Sequence, residues 1–254
     1  GPYALLVDVT RCTGCARCTA ACAEHHGEDP DRVLLRSEDL WADSRCAVQR
    51  LDGGRFLRKS CMHCLEPSCV AACLVGGLVK TEHGPVVYDP DRCIGCRYCM
   101  LACPFHVPRY EWERTLPFVR KCTFCHDRLG RGERPACVEA CSHDALSFGS
   151  RERLLWEAHR RIDAHPERYL PRVWGERARG GTSVLYVSDV DLEEVGFGAP
   201  GDPSIPEITD PVLHATPYLA LSVAVTTSGV RWIVRRRQRL MGSSEEDGTG
   251  GDDA

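Results

Sequence analysis

The chain opens on an apolar run, Tyr3 to Val9 (YALLVDV), which predicts a short strand. Across residues 23–60 the pattern loses any period, and a charged insertion carries one strand-like patch near 46–51. Pro85-Val86-Val87-Tyr88, closed by Asp89-Pro90, predicts a strand and a turn. Segment 104–121 (PFHVPRYEWERTLPFVRK) is broken by prolines and rich in aromatics, which predicts a packed loop. Helical spacing appears over 151–165, where Leu154, Leu155, Ala158 and Ile162 share one face and Pro166 ends the run. Gly180-Gly181 then leads into a predicted strand, Thr182 to Val187. Short strands and helices without a βαβ repeat indicate an α+β fold.

The pattern changes after residue 195. Glycines and prolines crowd residues 196–211 (GFGAPGDPSIPEITDP), as in a linker or an arm lying on a partner. Residues 212–234 (VLHATPYLALSVAVTTSGVRWIV) hold no charge from Tyr218 to Val230, with Tyr218 and Trp232 near the two ends. Arg231, Arg235, Arg236, Arg237 and Arg239 follow. This predicts a single transmembrane helix. The positive-inside rule then places the C-terminus in the cytoplasm and the rest on the periplasmic side of a bacterial inner membrane. Residues 235–254 are basic and then acidic, and 243–254 have the composition of a disordered tail.

Composition narrows the class. The chain has 254 residues, 43% hydrophobic and 27% charged, ordinary for a globular protein with a real core. A net charge of −4 without a broad basic surface points away from nucleic acid. The first residues, Gly1-Pro2, carry no initiator Met and no leader, so the chain reads as a mature or trimmed product from which an export signal was removable.

Seventeen cysteines are not ordinary. Sixteen of them form four quartets: Cys12-x2-Cys15-x2-Cys18-x3-Cys22, Cys61-x2-Cys64-x4-Cys69-x3-Cys73, Cys93-x2-Cys96-x2-Cys99-x3-Cys103 and Cys122-x2-Cys125-x11-Cys137-x3-Cys141. The first and third are the bacterial ferredoxin run, in which three thiolates on a tight loop wrap one 4Fe–4S cluster and the fourth ligates a neighbouring one. The other two keep the ends and stretch the middle. Structural zinc uses two separated pairs and does not explain the third and fourth cysteines of each run. Adjacent C-x2-C-x2-C thiols are badly placed for disulfides, and a chain of this size needs no staples. Four 4Fe–4S clusters are therefore expected. Cys46, the cysteine left over, reads as a buried free thiol.

Ligand exchange requires the runs to pair, and their order alone would join the first with the second and the third with the fourth, but the inserted lengths leave this open. Arg17, Arg97, Arg120 and Lys121 flank ligands and could raise cluster potentials, or they serve as surface charge. His63, His106, His126 and His143 lie beside complete quartets and read as packing residues rather than ligands. No nucleophile–base pair or phosphate loop is present, so no catalytic residue is assigned.

The segments RCTGCARCTAAC, KSCMHCLEPSCVAAC, DPDRCIGCRYCMLACPFHVPRYEW and RKCTFCHDR with PACVEAC resemble those of a known family. These are the four-cluster iron–sulfur subunits of membrane-associated molybdopterin enzymes, DMSO reductase among them, and of nickel–iron hydrogenases. The downstream YLPRVWGERARGGTSVLYVSDVDLEEVGF resembles the membrane-anchored members that serve a hydrogenase or formate dehydrogenase. The resemblance implies two pseudo-twofold ferredoxin-like lobes with loop-rich insertions over 1–150, joining runs one with four and two with three. It further implies a packed extension over 151–195, the linker 196–211 and the anchor 212–234. The implied cluster sets are Cys12, Cys15, Cys18 with Cys141; Cys122, Cys125, Cys137 with Cys22; Cys93, Cys96, Cys99 with Cys73; and Cys61, Cys64, Cys69 with Cys103. Only Pro104 follows a closing cysteine as is common in the family; Ala23, Leu74 and Ser142 depart from it without removing a ligand. The implied function is a non-catalytic relay between a hydrogenase or molybdopterin oxidoreductase subunit and a quinone-reactive membrane subunit. A soluble polyferredoxin, or the iron–sulfur subunit of another molybdopterin reductase, is the alternative.

Overall fold

The computed structural model describes residues 1–35, 38–115, 117–199 and 201–246. In chain order the elements begin with β1 (Tyr3–Asp8), α1 (Arg17–His25), α2 (Pro30–Leu34), β2 (Cys46–Arg50) and β3 (Phe56–Ser60). There follow α3 (Ser68–Ala71), β4 (Leu78–Lys80), β5 (Val86–Tyr88), α4 (Tyr98–Leu101), β6 (Arg109–Tyr110) and β7 (Val119–Arg120). The remainder are α5 (His126–Gly130), α6 (Ala136–Glu139), β8 (Leu146–Ser150), α7 (Arg151–Ala164), β9 (Val184–Val187) and α8 (Ile205–Glu246). The fold is α+β with small sheets. Of the described residues, those up to 206 form one compact unit and those from 207 to 246 belong to a second.

The apolar alternation of β1 is used on both faces, because the strand lies at the centre of a three-stranded sheet, β8-β1-β9. It runs antiparallel to β8, with Tyr3 opposite Ser150, and parallel to β9, with Leu5 opposite Val184. Ala4 and Leu6 face α7, joining Leu154, Ala158, Ile162, Leu185 and Val187 in one buried layer. Leu5 and Val7 face the other way, toward Leu57, Cys61, Cys122 and Cys137. The sheet therefore divides a conventional core from one built around cysteines.

Asp8 closes β1 from within. It is fully buried, and its carboxylate accepts from the Tyr169 hydroxyl at 2.8 Å, the Thr10 hydroxyl at 2.7 Å and Arg161 at 3.2 Å. The helix α7 starts as its sequence requires, with the Ser150 hydroxyl accepting from the Arg153 amide.

Hairpins with strands of two to five residues carry the rest: β2 with β3, β4 with β5, and β6 with β7. Short helices following the cysteine loops pack in pairs, α1 on α6 and α3 on α4. The predicted strand at Thr182 starts its pairing at Val184, since the Ser183 amide donates instead to the Met62 carbonyl at 3.1 Å. The predicted linker 196–211 turns helical at Ile205, where α8 begins. Residues 247–254, most of the predicted disordered tail, lie outside the described residues.

The predicted transmembrane anchor is overturned. Among the described residues no helix is long and apolar enough to cross a membrane. The reason lies in α8 itself. Its uncharged stretch is diluted by Ser222 and by the consecutive Thr226, Thr227, Ser228 and Gly229, and Arg231 follows at once. Pro211 and Pro217 also fall inside the helix. Absence of charge is not the same as hydrophobicity. With the anchor falls the single-pass placement at the inner membrane and the periplasmic–cytoplasmic orientation derived from it.

Leu154 is 1% exposed in the layer between α7 and the sheet. Leu154→Ala is expected to cost about 2–5 kcal/mol, read as a lower urea midpoint under anaerobic conditions. Trp156→Ala, on the exposed face of the same helix, is expected to change stability by less than about 0.5 kcal/mol.

Candidate functional site

Each cysteine run folds as a tight loop that needs one left-handed residue between its first two cysteines. That residue is Gly14 (φ 75°), His63 (φ 46°), Gly95 (φ 72°) and Phe124 (φ 61°) in the four runs. Glycine meets this demand without strain and also leaves room. A Cβ on Gly14 would lie 2.6 Å from the Phe56 ring, and one on Gly95 2.7 Å from the Tyr110 hydroxyl. His63 and Phe124 adopt the same conformation at a cost of order 1–3 kcal/mol each, so tertiary packing must hold them there.

The turn aims the amide of that residue at the sulfur two positions back. The Phe124 amide donates to Cys122 Sγ at 3.3 Å and the Gly95 amide to Cys93 Sγ at 3.4 Å. In the other two runs the Gly14 and His63 amides pull the Cys12 and Cys61 thiols downward, against burial. Such N–H donors favour thiolate, which is the form that binds iron.

Beyond the loops, the structure brings cysteines of different runs together. Cys12, Cys15, Cys18 and Cys141 line one apolar void with Arg17, Arg58 and His143. Cys22, Cys122, Cys125 and Cys137 line a second, with His26, Arg58 and Phe124. Cys73, Cys93, Cys96 and Cys99 line a third, beside Arg97 and Tyr88. The remaining four are neighbours: after burial, the proximity of Cys61, Cys103 and Cys69 pushes the Cys64 thiol upward.

Burial is the first cause of the high thiol values here. It takes Cys18, Cys69, Cys125 and Cys137 to about 12, and Cys61 and Cys99 to about 11. A group of buried thiols that resist ionisation individually is stabilised by a multivalent cationic cofactor that takes them all as thiolates. Four thiols round an apolar void are the donor set of a 4Fe–4S cluster. Among the described residues, no three His, Cys, Asp or Glu side chains converge on a point able to hold one metal ion; the thiols surround a volume instead.

Residues 54–151 match the family described as a 4Fe–4S dicluster domain. The chain is 30% identical to the hydrogenase-2 operon protein HybA of Shigella flexneri, covering 100% of this chain and 88% of that protein. It is 35% identical to the iron–sulfur subunit of the nitrate-inducible formate dehydrogenase of Escherichia coli, over 80% of this chain and 74% of that one. The chain belongs to the iron–sulfur electron-transfer subunits of oxidoreductase complexes. It is also 38% identical to the B subunit of the anaerobic dimethyl sulfoxide reductase of Escherichia coli, over 58% of this chain and 73% of that subunit. Like the other iron–sulfur subunits of this family, it is a non-catalytic electron carrier, and it holds multiple 4Fe–4S clusters.

The histidines and cations near the runs have separate fates. His63 is fully buried, accepts from the Val86 amide at 2.9 Å through Nδ1 and packs edge-on against Phe124; burial holds it neutral. His106, His126 and His143 are all exposed, and His143 also lines the first void. Arg97 lies over the Trp112 ring at 4.7 Å, and Arg120 is neutralised by Glu111 at 2.7 Å. Lys121 is buried, donating to the Val86 and Cys122 carbonyls. Sequence reasoning missed two buried cations, Arg45 and, on β3, Arg58. The only signal for Arg58 was a charge at an inward-facing strand position three residues before Cys61.

Cys46 is buried and lines none of the three voids; its thiol donates to the Cys18 carbonyl at 3.7 Å. A hydrogen bond with Cys22, helped by Arg58, draws the thiol down against burial. Cys46→Ala is expected to leave iron and sulfide per chain at the wild-type level. Loss of about four irons would make Cys46 a ligand.

Proposed function

We propose that this subunit relays electrons one at a time through four 4Fe–4S clusters, between the catalytic subunit of a hydrogenase or formate dehydrogenase and a quinone-reactive membrane subunit. The ligand sets are Cys12, Cys15, Cys18 with Cys141; Cys122, Cys125, Cys137 with Cys22; Cys61, Cys64, Cys69 with Cys103; and Cys93, Cys96, Cys99 with Cys73. They make residues 1–150 a double ferredoxin-like domain.

The observation that carries this reading is that the last cysteine of each run stands with the first three of another. Neighbouring sets also lie near one another in series. Arg58 lines both of the first two voids; Cys122 lies close enough to act on Cys61, and Cys99 on Cys69. Each bound cluster supplies a one-electron couple with little rearrangement. The chain's own residues do the rest: loop amides donate to sulfur, apolar walls exclude water, and buried cations offset thiolate charge. Direction of flow follows from the partners.

A second reading is a free polyferredoxin-type carrier, favoured by the absence of a membrane-crossing helix among the described residues. Anaerobically purified full-length chain is expected to contain about sixteen irons and sixteen sulfides, four of each per cluster. About eight irons, or zinc in their place, would end the four-cluster reading. Tagged chain is expected to bring down a large oxidoreductase subunit in constant ratio. Recovery alone, with a full cluster load, would favour the free carrier.

A further inference from the structure

Arg58 is 2% exposed and forms no ion pair with a carboxylate among the described residues, although the buried Arg45 pairs with Glu28 and Arg161 with Asp8. One terminal nitrogen donates to the Ser60 hydroxyl at 2.7 Å and the other to Cys137 Sγ at 3.4 Å, while Nε has no partner. Guanidinium cannot shed its charge at any accessible pH. An unpaired buried charge costs several kcal/mol, so the compensating negative charge must come from what borders it. What borders it is the buried Cys46 thiol, which it draws down, and two thiol-lined voids, both of which it lines. Its backbone is fixed from below by the buried Tyr186, whose hydroxyl donates to the Arg58 carbonyl at 2.9 Å.

We propose that Arg58 is a positioning residue shared by two clusters, a fixed cation that raises and matches the reduction potentials of the pair held by Cys12, Cys15, Cys18, Cys141 and by Cys22, Cys122, Cys125, Cys137. This rests on the ligand sets proposed above. Reduction adds one negative charge to a centre whose thiolates already make it anionic, so a nearby cation favours the reduced form. In a dry interior that effect is weakly screened. Because it lines both voids, one guanidinium acts on both, which keeps the electron from being trapped at either one. Lys121 has no such position: its ammonium is held by two carbonyls, and it lines neither of these voids.

The test is EPR-monitored potentiometric titration of the full chain in its complex, with iron and sulfide measured on each sample. The two signals concerned are identified beforehand as those altered by Cys15→Ser and by Cys125→Ser. Arg58→Gln is expected to lower both midpoints together, each by about tenfold in the reduction equilibrium, or about 59 mV for one electron. The other two midpoints stay in place, and Arg58→Lys keeps both near wild type. Should Arg58→Gln lose iron, Ser60→Asp carries the test, because it neutralises the guanidinium and leaves it in place; the same paired fall is expected. Movement of one midpoint alone, of none, or of all four would overturn the proposal. A wild-type chain with fewer than four clusters would instead overturn the ligand reading beneath it.

Discussion

The pairing of β1 with β8 is the constraint on which everything else depends. These strands lie at opposite ends of the cysteine-rich region, and their antiparallel register sets Val7 opposite Leu146. The loop of Cys12 leaves one strand and the loop of Cys141 enters the other, so the first and last runs are forced face to face. Without this contact Cys22 and Cys137 have no reason to meet. The segment that leads into β9 then fastens the second run, through the amides of Ser183 and Leu65, which donate to the Met62 and Gly181 carbonyls. A long sequence separation is costly to close, and the apolar layer under α7 is what offsets it.

The other half of the domain is stabilised differently. Its hairpins are short and its helices, α3 and α4, are single turns. Its buried cluster consists of Cys69, Leu78, Val86, Cys99, Tyr110 and Val119, too few apolar side chains for an independent core. Thiols that surround voids contribute fully only when a cofactor occupies them, which couples cluster binding to stability there. Buried cations complete the arrangement. Arg45 reaches the Lys121 carbonyl at 3.1 Å and pairs with Glu28, and Arg58 lines two voids while pairing with no carboxylate among the described residues.

The cysteine spacing made the chemistry legible, because tight loops of thiols have few other uses. The apolar run of β1 and the 3.6-residue spacing of α7 were equally plain. Three things were not. The patch near 46–51 marked β2, but its partner β3 hides in the charged insertion, since Arg58 and Lys59 interrupt its alternation. The left-handed positions at His63 and Phe124 carry no compositional mark, because tertiary packing rather than glycine sustains them. The segment 212–234 misleads for a physical reason: its hydroxyls, which donate back to carbonyls three or four residues earlier, lower its hydropathy without adding charge.

The crossing of ligands between the first and last runs is tested most directly by comparing two closing cysteines. Cys22→Ser and Cys141→Ser chains, purified anaerobically, would be examined by EPR against Cys12→Ser and Cys125→Ser. Crossed ligation predicts that Cys22→Ser alters the signal changed by Cys125→Ser, and Cys141→Ser the one changed by Cys12→Ser. If Cys22→Ser instead alters the same signal as Cys12→Ser, each run closes on its own cluster and the crossed wiring is wrong.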